Sequence, residues 1–200
     1  MDPVHVSNKM DTQLTSAWSL APGDIIFYGF CDVLTSFGSL QSPSRVVQLL
    51  AKHWQITDKN TLLQKLNWLE KQGHSAVFRG LGDQPTAPPA QLDFKQQYAQ
   101  RLENRGLRAW DLGQYCALLR YAEFLCYVDF SAACRMLMDA AREIQATYAS
   151  WQNYCEDFFI GMQFVNIGLE LESERVQAFL LQHPSSPWRQ LDWALNLRAA

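Results

Sequence analysis

Arg108, Asp111, Gln114, Arg120 and Glu123 punctuate one otherwise apolar stretch, Leu107 to Val128, and they are the polar residues best placed to do chemistry. Asp111 and Gln114 are three positions apart, as are Arg120 and Glu123, so on a helix each pair can meet on one face. If that face opens on a pocket, Arg108 can hold an anion and Asp111 or Glu123 can act as a general base. If it does not, two self-contained pairs are satisfied core polarity. Asp111 also falls in the first turn of the helix, where free N–H groups and the dipole favour a carboxylate with no ligand at all. Structural pairs of this kind perturb buried groups as sites do, so spacing favours the structural reading over the catalytic one.

Other arrangements support less. The histidines at positions 5, 53, 74 and 183 share no helical spacing with one another or with an acid pair that would hold a metal. Glu156 and Asp157 are adjacent, so on a helix they diverge by about 100° and do not chelate together. There is no GxSxG elbow, no Walker loop and no complete GxGxxG; Gly80-Leu81-Gly82 leads into a proline-rich stretch instead. Cys134 lies beside Arg135, but helical neighbours point apart, so the thiol is expected to be packed rather than activated. No metal or cofactor is expected.

The elements that must position these residues are helices. On a helical wheel the apolar side chains of Leu107 to Val128 point in every direction: Trp110 and Tyr121 one way, Leu112 and Leu119 nearly opposite, Cys116 and Tyr127 a third. A helix apolar on all sides is a buried helix, so each polar residue on it needs a partner. Around it, Ser42-Pro43 predicts a capped start for a helix carrying Val46, Leu49, Leu50 and Trp54. Asp58 predicts a second, with Leu62, Leu66 and Leu69 inward and Gly73 as its left-handed stop. Gly80 to Gln91, rich in proline and glycine, reads as a loop. Phe94, Tyr98 and Leu102 mark a short helix that Gly106 ends.

Asp129 is expected to cap an amphipathic helix with Phe130, Ala133, Leu137, Ala141, Ile144 and Tyr148 inward. Ser150 caps another, with Trp151, Tyr154, Phe158, Met162 and Val165 on one side and Phe159, Ile160 and Phe164 on the other. Ser173 begins a helix that stops before Pro184, and Pro187-Trp188 opens a last one through Leu191 and Leu195. Residues 14–40 suggest one or two short helices, and residues 1–13 a flexible arm. No stretch alternates with period two and no long period repeats. The expected fold is an all-α single domain over 14–200, a bundle of about seven to nine helices around a buried central one, with a Pro/Gly-rich loop at about 80–92.

Composition bounds the function. Hydrophobic residues make up 48% of the 200-residue chain and charged residues 18%, which excludes disorder. A net charge of −3 leaves no electrostatic footprint for nucleic acid or an anionic membrane. The densest apolar stretch, Ile25 to Phe37, is broken by Gly29 and Asp32 and is shorter than the roughly 20 residues that span a bilayer. With no basic-then-apolar start and five cysteines that read as reduced core thiols, a soluble cytoplasmic protein is expected.

The segments WQITDKNTLLQKLNWLEKQGHS, RAWDLGQYCALLRYAEFLCYVDFSAA, SWQNYCEDFFIGMQF and SPWRQLDW, in that order, resemble the bacterial family called domain of unknown function 1266. The resemblance covers roughly residues 50 to 197. It implies a compact helical protein and a signature AWDLxR, carried here by Ala109 to Leu112, with Gln114 in place of the basic residue. It implies no activity. Trp110, Trp151, Trp188 and Trp193 fall in these segments, either as core fillers or as the walls of a groove for a partner helix.

The candidate binding set is thus Arg108, Trp110, Asp111, Gln114, Arg120 and Glu123. The expected role is binding another protein without catalysis, as an adaptor or toxin inhibitor would. The alternative is a small-ligand-binding protein or enzyme using the polar group on the central helix.

Overall fold

A computed structural model describes residues 13–27, 41–83, 86–166 and 173–197. Within them the chain is helical, with no strand. Helix α1 covers 13–20 and leads through a 3-10 turn, Ala21–Gly23, into α2, Asp24–Phe27. Then follow α3 (Pro43–Trp54), α4 (Lys59–Lys71), α5 (Gly73–Gly80), a second 3-10 turn at Leu81–Asp83, and α6 (Pro89–Leu102). The second half holds α7 (Arg108–Phe124), α8 (Phe130–Thr147), α9 (Trp151–Val165), α10 (Ser173–Gln182) and α11 (Pro187–Gln190). No described helix is long and apolar enough to cross a membrane.

Helix α7 is the centre of the molecule, because every residue from Ala109 to Ala122 is buried. An all-round apolar surface demands neighbours on all sides. It has them in α2, α4, α5, α8, α9 and the turn at Ala21–Gly23. Two glycines allow α9 to come close: a Cβ on Gly161 would overlap Trp110, and one on Gly113 would overlap Phe158.

The surrounding helices begin where their caps predict. The Ser42 hydroxyl accepts from Arg45 N at 3.3 Å, Asp58 forms a capping box with Thr61, Asp129 accepts from Ala132 N at 2.9 Å and Ser150 from Asn153 N at 3.1 Å. Leu62, Leu66 and Leu69 on α4 and Ala133, Leu137, Ala141 and Ile144 on α8 are buried in the main core. A smaller cluster of Phe78, Leu81, Leu102, Leu107, Ile160 and Phe164 ties α5 and α6 to the end of α9.

Several boundaries differ from expectation for local reasons. Helix α7 stops at Phe124 rather than Val128. Tyr127 N bonds back to Ala122 O at 2.8 Å, with Cys126 at φ 56° in the left-handed turn that such a stop requires. The stretch expected as a loop from Gly80 is shorter, since the 3-10 turn occupies Leu81–Asp83 and α6 starts at Pro89. Phe130 is 59% exposed rather than inward, because it is the first residue of α8, before that helix reaches the core. The last helix ends at Gln190, not Leu195. The carbonyls beyond it are taken by side-chain donors: Leu191 O by Trp151 Nε1 at 3.0 Å, Asp192 O by Trp18 Nε1 at 3.1 Å, and Trp193 O and Leu195 O by Gln145 Nε2 at 2.5 and 2.9 Å. A carbonyl so occupied has less need of a helical partner. The arm expected over 1–13 lies outside the described residues apart from Gln13, which is helical.

Candidate functional site

The first turn of α7 carries Asp111, fully buried, and its partners come from α5 rather than from Gln114. Oδ1 accepts from His74 N at 2.8 Å and lies 2.8 Å from His74 Nδ1; Oδ2 accepts from Ser75 N at 2.9 Å and Ser75 Oγ at 2.7 Å. Helix α5 has no side-chain cap of its own at Gln72, so the carboxylate of one helix caps the next. The geometry depends on Gly73, whose φ is 58° and whose missing side chain leaves the space the carboxylate fills. Asp111 thus serves two helix N-termini at once, those of α5 and α7. The His74 ring is 23% exposed. It meets Trp68 edge-on at 4.9 Å and Trp110 at 6.2 Å, and Lys65 lies over the Trp68 ring at 4.4 Å. Chemically this is an aspartate–histidine dyad in which a carboxylate on Nδ1 leaves Nε2 as the other ring nitrogen.

Gln114, expected beside Asp111, turns instead to α3, where its Oε1 accepts from Trp54 Nε1. Arg108, the expected anion contact, is held bidentately by Glu143 on α8, Nε to Oε1 at 2.5 Å and Nη2 to Oε2 at 2.8 Å, and donates from Nη1 to Leu69 O at 2.7 Å. Beside this pair a cleft of about 160 Å³ opens between α4, α7 and α8. Its polar lining is Glu70, Arg108, Tyr115, Asp139 and Glu143, with Leu112, Met136 and Ala140 as the apolar wall. Tyr115 is only 5% exposed. Burial first, then the nearby Glu70 and Asp139 carboxylates, push its hydroxyl well above the ordinary tyrosine range.

At the far end of α7, Arg120 and Glu123 do not form the expected pair. Arg120 Nη1 instead donates to Asp24 Oδ1 on α2 at 2.8 Å, with the two side chains 1% and 0% exposed. Asp24 Oδ2 has no hydrogen-bond partner among the described residues. Burial raises the Asp24 carboxyl to about 7 despite the attraction of Arg120. Glu123, near the end of the helix, is partly exposed, and its carboxyl is raised by burial. The six candidate residues are therefore not one cluster: Asp111 belongs to α5, Gln114 to α3, Arg108 to the α8 cleft and Arg120 to α2.

Trp110, the sixth, is 8% exposed, packs on Phe158 at 5.0 Å and has an indole N–H with no partner among the described residues. Trp151, Trp188 and Trp193 form a core nest with Trp18, Trp151 and Trp188 stacked at 4.9 Å, so they fill space rather than line a groove. Glu156 and Asp157 do converge, though on one guanidinium. Arg101 reaches Glu156 Oε2 at 2.6 Å and Asp157 Oδ1 at 2.9 Å, because a fork long enough to span two diverging carboxylates closes the gap between them. No group of three or more His, Cys, Asp or Glu among the described residues could hold a metal. Of the described cysteines, Cys116 and Cys155 are buried, with thiols pushed up to about 12 by burial, but Cys134 is half-buried and Cys126, in its left-handed turn, is exposed. Cys31 lies outside the described residues.

Sequence reasoning placed Gly73 as a left-handed stop, as its φ of 58° shows, but missed its place beside Asp111, along with His74, Ser75, Asp24, Glu143 and Tyr115. One signal was available for Gly73, His74 and Ser75: a buried Asp must be satisfied, and Gly-His-Ser is a small, donor-rich helix start with no cap of its own.

A family model described as Protein of unknown function (DUF1266) matches residues 49–193, and the chain belongs to that family. The match contains His74, Asp111, Arg120 and the α8 cleft but not Asp24. No curated protein and no solved structure matches the chain.

Proposed function

From membership in a family whose description assigns no activity, we propose that this protein binds another protein without catalysis, through the cleft between α4, α7 and α8. The observation that carries the reading is how the polar side chains of α7 are used. Asp111 accepts four hydrogen bonds from α5, Gln114 holds α3, and Arg108 is locked by Glu143 and Leu69 O. Groups committed to internal bonds are poor general bases or anion anchors. The cleft left beside them, at about 160 Å³, is smaller than the roughly 300–1,000 Å³ of sites that enclose a small-molecule substrate, but it has room for one side chain of a partner. An adaptor or an inhibitor of a toxin-like protein would work in this way. Cytoplasmic residence is part of the same proposal, supported by the free thiols of Cys116, Cys126, Cys134 and Cys155.

The His74–Asp111 dyad favours a second reading, acid–base chemistry at the α4–α5–α7 corner, since the ring is partly open to solvent. A photo-crosslinking amino acid placed at Met136 in the cleft, and separately at Gln152 on the exposed side of α9, distinguishes the two in cells of the natural host. The expected result is one discrete crosslinked protein from position 136 and none from 152, unchanged by His74→Gln. The same products from both positions would overturn the binding reading, and loss of the product with His74→Gln in a folded protein would move the site to the dyad.

A further inference from the structure

Three carboxylates, Glu70, Asp139 and Glu143, ring the cleft against the single guanidinium of Arg108. Their situations differ. Glu143 is spent on Arg108, and Asp139, 77% exposed, touches Arg142 at 3.3 Å, a loose surface pair of small strength. Glu70 has no cation within salt-bridge distance among the described residues. The same cleft is lined by Tyr115, a side chain only 5% exposed whose hydroxyl has no hydrogen-bond partner among the described residues. The hydroxyl is not one of the fully buried partnerless atoms, so it reaches the solvent of the cleft and is open to a donor from outside the fold. Glu70 on α4 and Asp139 on α8, the elements before and after the α7 of Tyr115 among those lining the cleft, are neither of them held as Glu143 is by Arg108. Leu112, Met136 and Ala140 supply an apolar wall along which the stem of a long side chain can lie.

We infer that the cleft receives an arginine side chain of the partner protein, its guanidinium set between Glu70 and Asp139 and donating to the Tyr115 hydroxyl. The inference rests on the binding reading above and specifies its partner's chemistry. Arginine is favoured over lysine by shape. A planar fork reaches two carboxylates on different helices at once, stacks on an aromatic ring and loses little hydration, whereas an ammonium is a compact point charge with a tight water shell. Arg108 does not block the site, because its Nε, Nη1 and Nη2 are all directed to Glu143 and Leu69 O.

The test titrates three blocked amino acids, the N-acetyl N-methylamides of arginine, lysine and citrulline, into the whole protein. The readout is the nuclear magnetic resonance signals of the Tyr115 ring and the Met136 methyl. The arginine derivative should shift both signals with saturation, the lysine derivative less, and the neutral citrulline derivative, of nearly the same shape, not at all. In Glu70→Gln/Asp139→Asn, two exposed substitutions that leave the core untouched, arginine affinity should fall about tenfold. Equal response to citrulline, or an arginine response that the double variant retains, would overturn the inference. If the Met136 crosslink persists while arginine fails to saturate the cleft, the binding reading stands and this inference falls. If the crosslink is absent as well, both fall.

Discussion

The two ends of α7 bury opposite charges and treat them differently. Asp111 is surrounded by four donors, two of them backbone N–H groups at a helix start, so each oxygen accepts twice. Arg120 faces a carboxylate on α2 that is itself fully buried, with one oxygen unmatched among the described residues and a carboxyl raised to about 7. A buried charge solvated by oriented neutral dipoles is stable without a counter-charge. A buried ion pair must overcome the desolvation of both partners, and attraction often does no more than match it. The Asp111 cluster also lies wholly inside the family match, whereas the partner of Arg120 lies outside it.

This contrast predicts unequal costs. Asp111→Ala strands two backbone N–H groups and the Ser75 hydroxyl, and should lower stability by about 3–5 kcal/mol. Arg120→Ala should cost less, about 2 kcal/mol, because Asp24, already poised to hold a proton, neutralises when its partner is gone. Urea denaturation of both variants at pH 7 compares them directly. An Arg120→Ala loss equal to or larger than that of Asp111→Ala would break the distinction.

The next effect is confined to the Asp111 end. Gly73→Ala puts a Cβ into the carboxylate's space at a φ of 58° and should cost about 2 kcal/mol. Gly80→Ala, where an added Cβ meets nothing within 4 Å, serves as the control that should change little. Similar thermal midpoints for the two would mean that the cap is not strained by crowding.

The last effect is a slope, smallest when read per pH unit, at no more than about 1.4 kcal/mol. Asp24 has its folded value raised above the unfolded 3.8, so the folded protein keeps that proton while the unfolded chain releases it. Its contribution is fully present below about pH 4 and is lost as pH rises toward about 7. Between pH 5 and pH 8 the natural protein should lose about 3 kcal/mol that Asp24→Asn does not. Parallel stability profiles for the two would show that Asp24 is ionised throughout and paired as firmly as Asp111.

How much of this was legible in the sequence follows the range of the interactions. The buried character of α7 was legible, because apolar residues on every side of a helix leave no alternative, and the starts at Pro43, Lys59, Phe130 and Trp151 were legible because a cap acts on the backbone three residues away. The partners of Asp111 and Arg120 were not. Local spacing offered Gln114 and Glu123, but His74, Ser75 and Asp24 are set by how α2 and α5 dock, and no pattern within a single helix encodes that. The end of α11 was missed for the same reason, since Trp18 and Gln145 take its carbonyls from far along the chain. Nothing in its own helix marked Tyr115; only the cleft formed when α4 and α8 dock sets it apart.

The indole of Trp18 and the carbonyl of Asp192 are 174 positions apart, and Trp188 donates to Ala21 O across 167. The tryptophan nest therefore joins segments that a ribosome makes far apart in time. At roughly 5–20 residues per second, Trp18 waits on the order of ten seconds or more for the segment that encloses it, and during that interval its apolar surface is free to meet chaperones or other chains. Closure of so long a loop is also entropically late. The central helix has near neighbours in sequence to wrap it, but the nest of Trp18, Trp151, Trp188 and Trp193 cannot close until residues 187–193 fold back over α1.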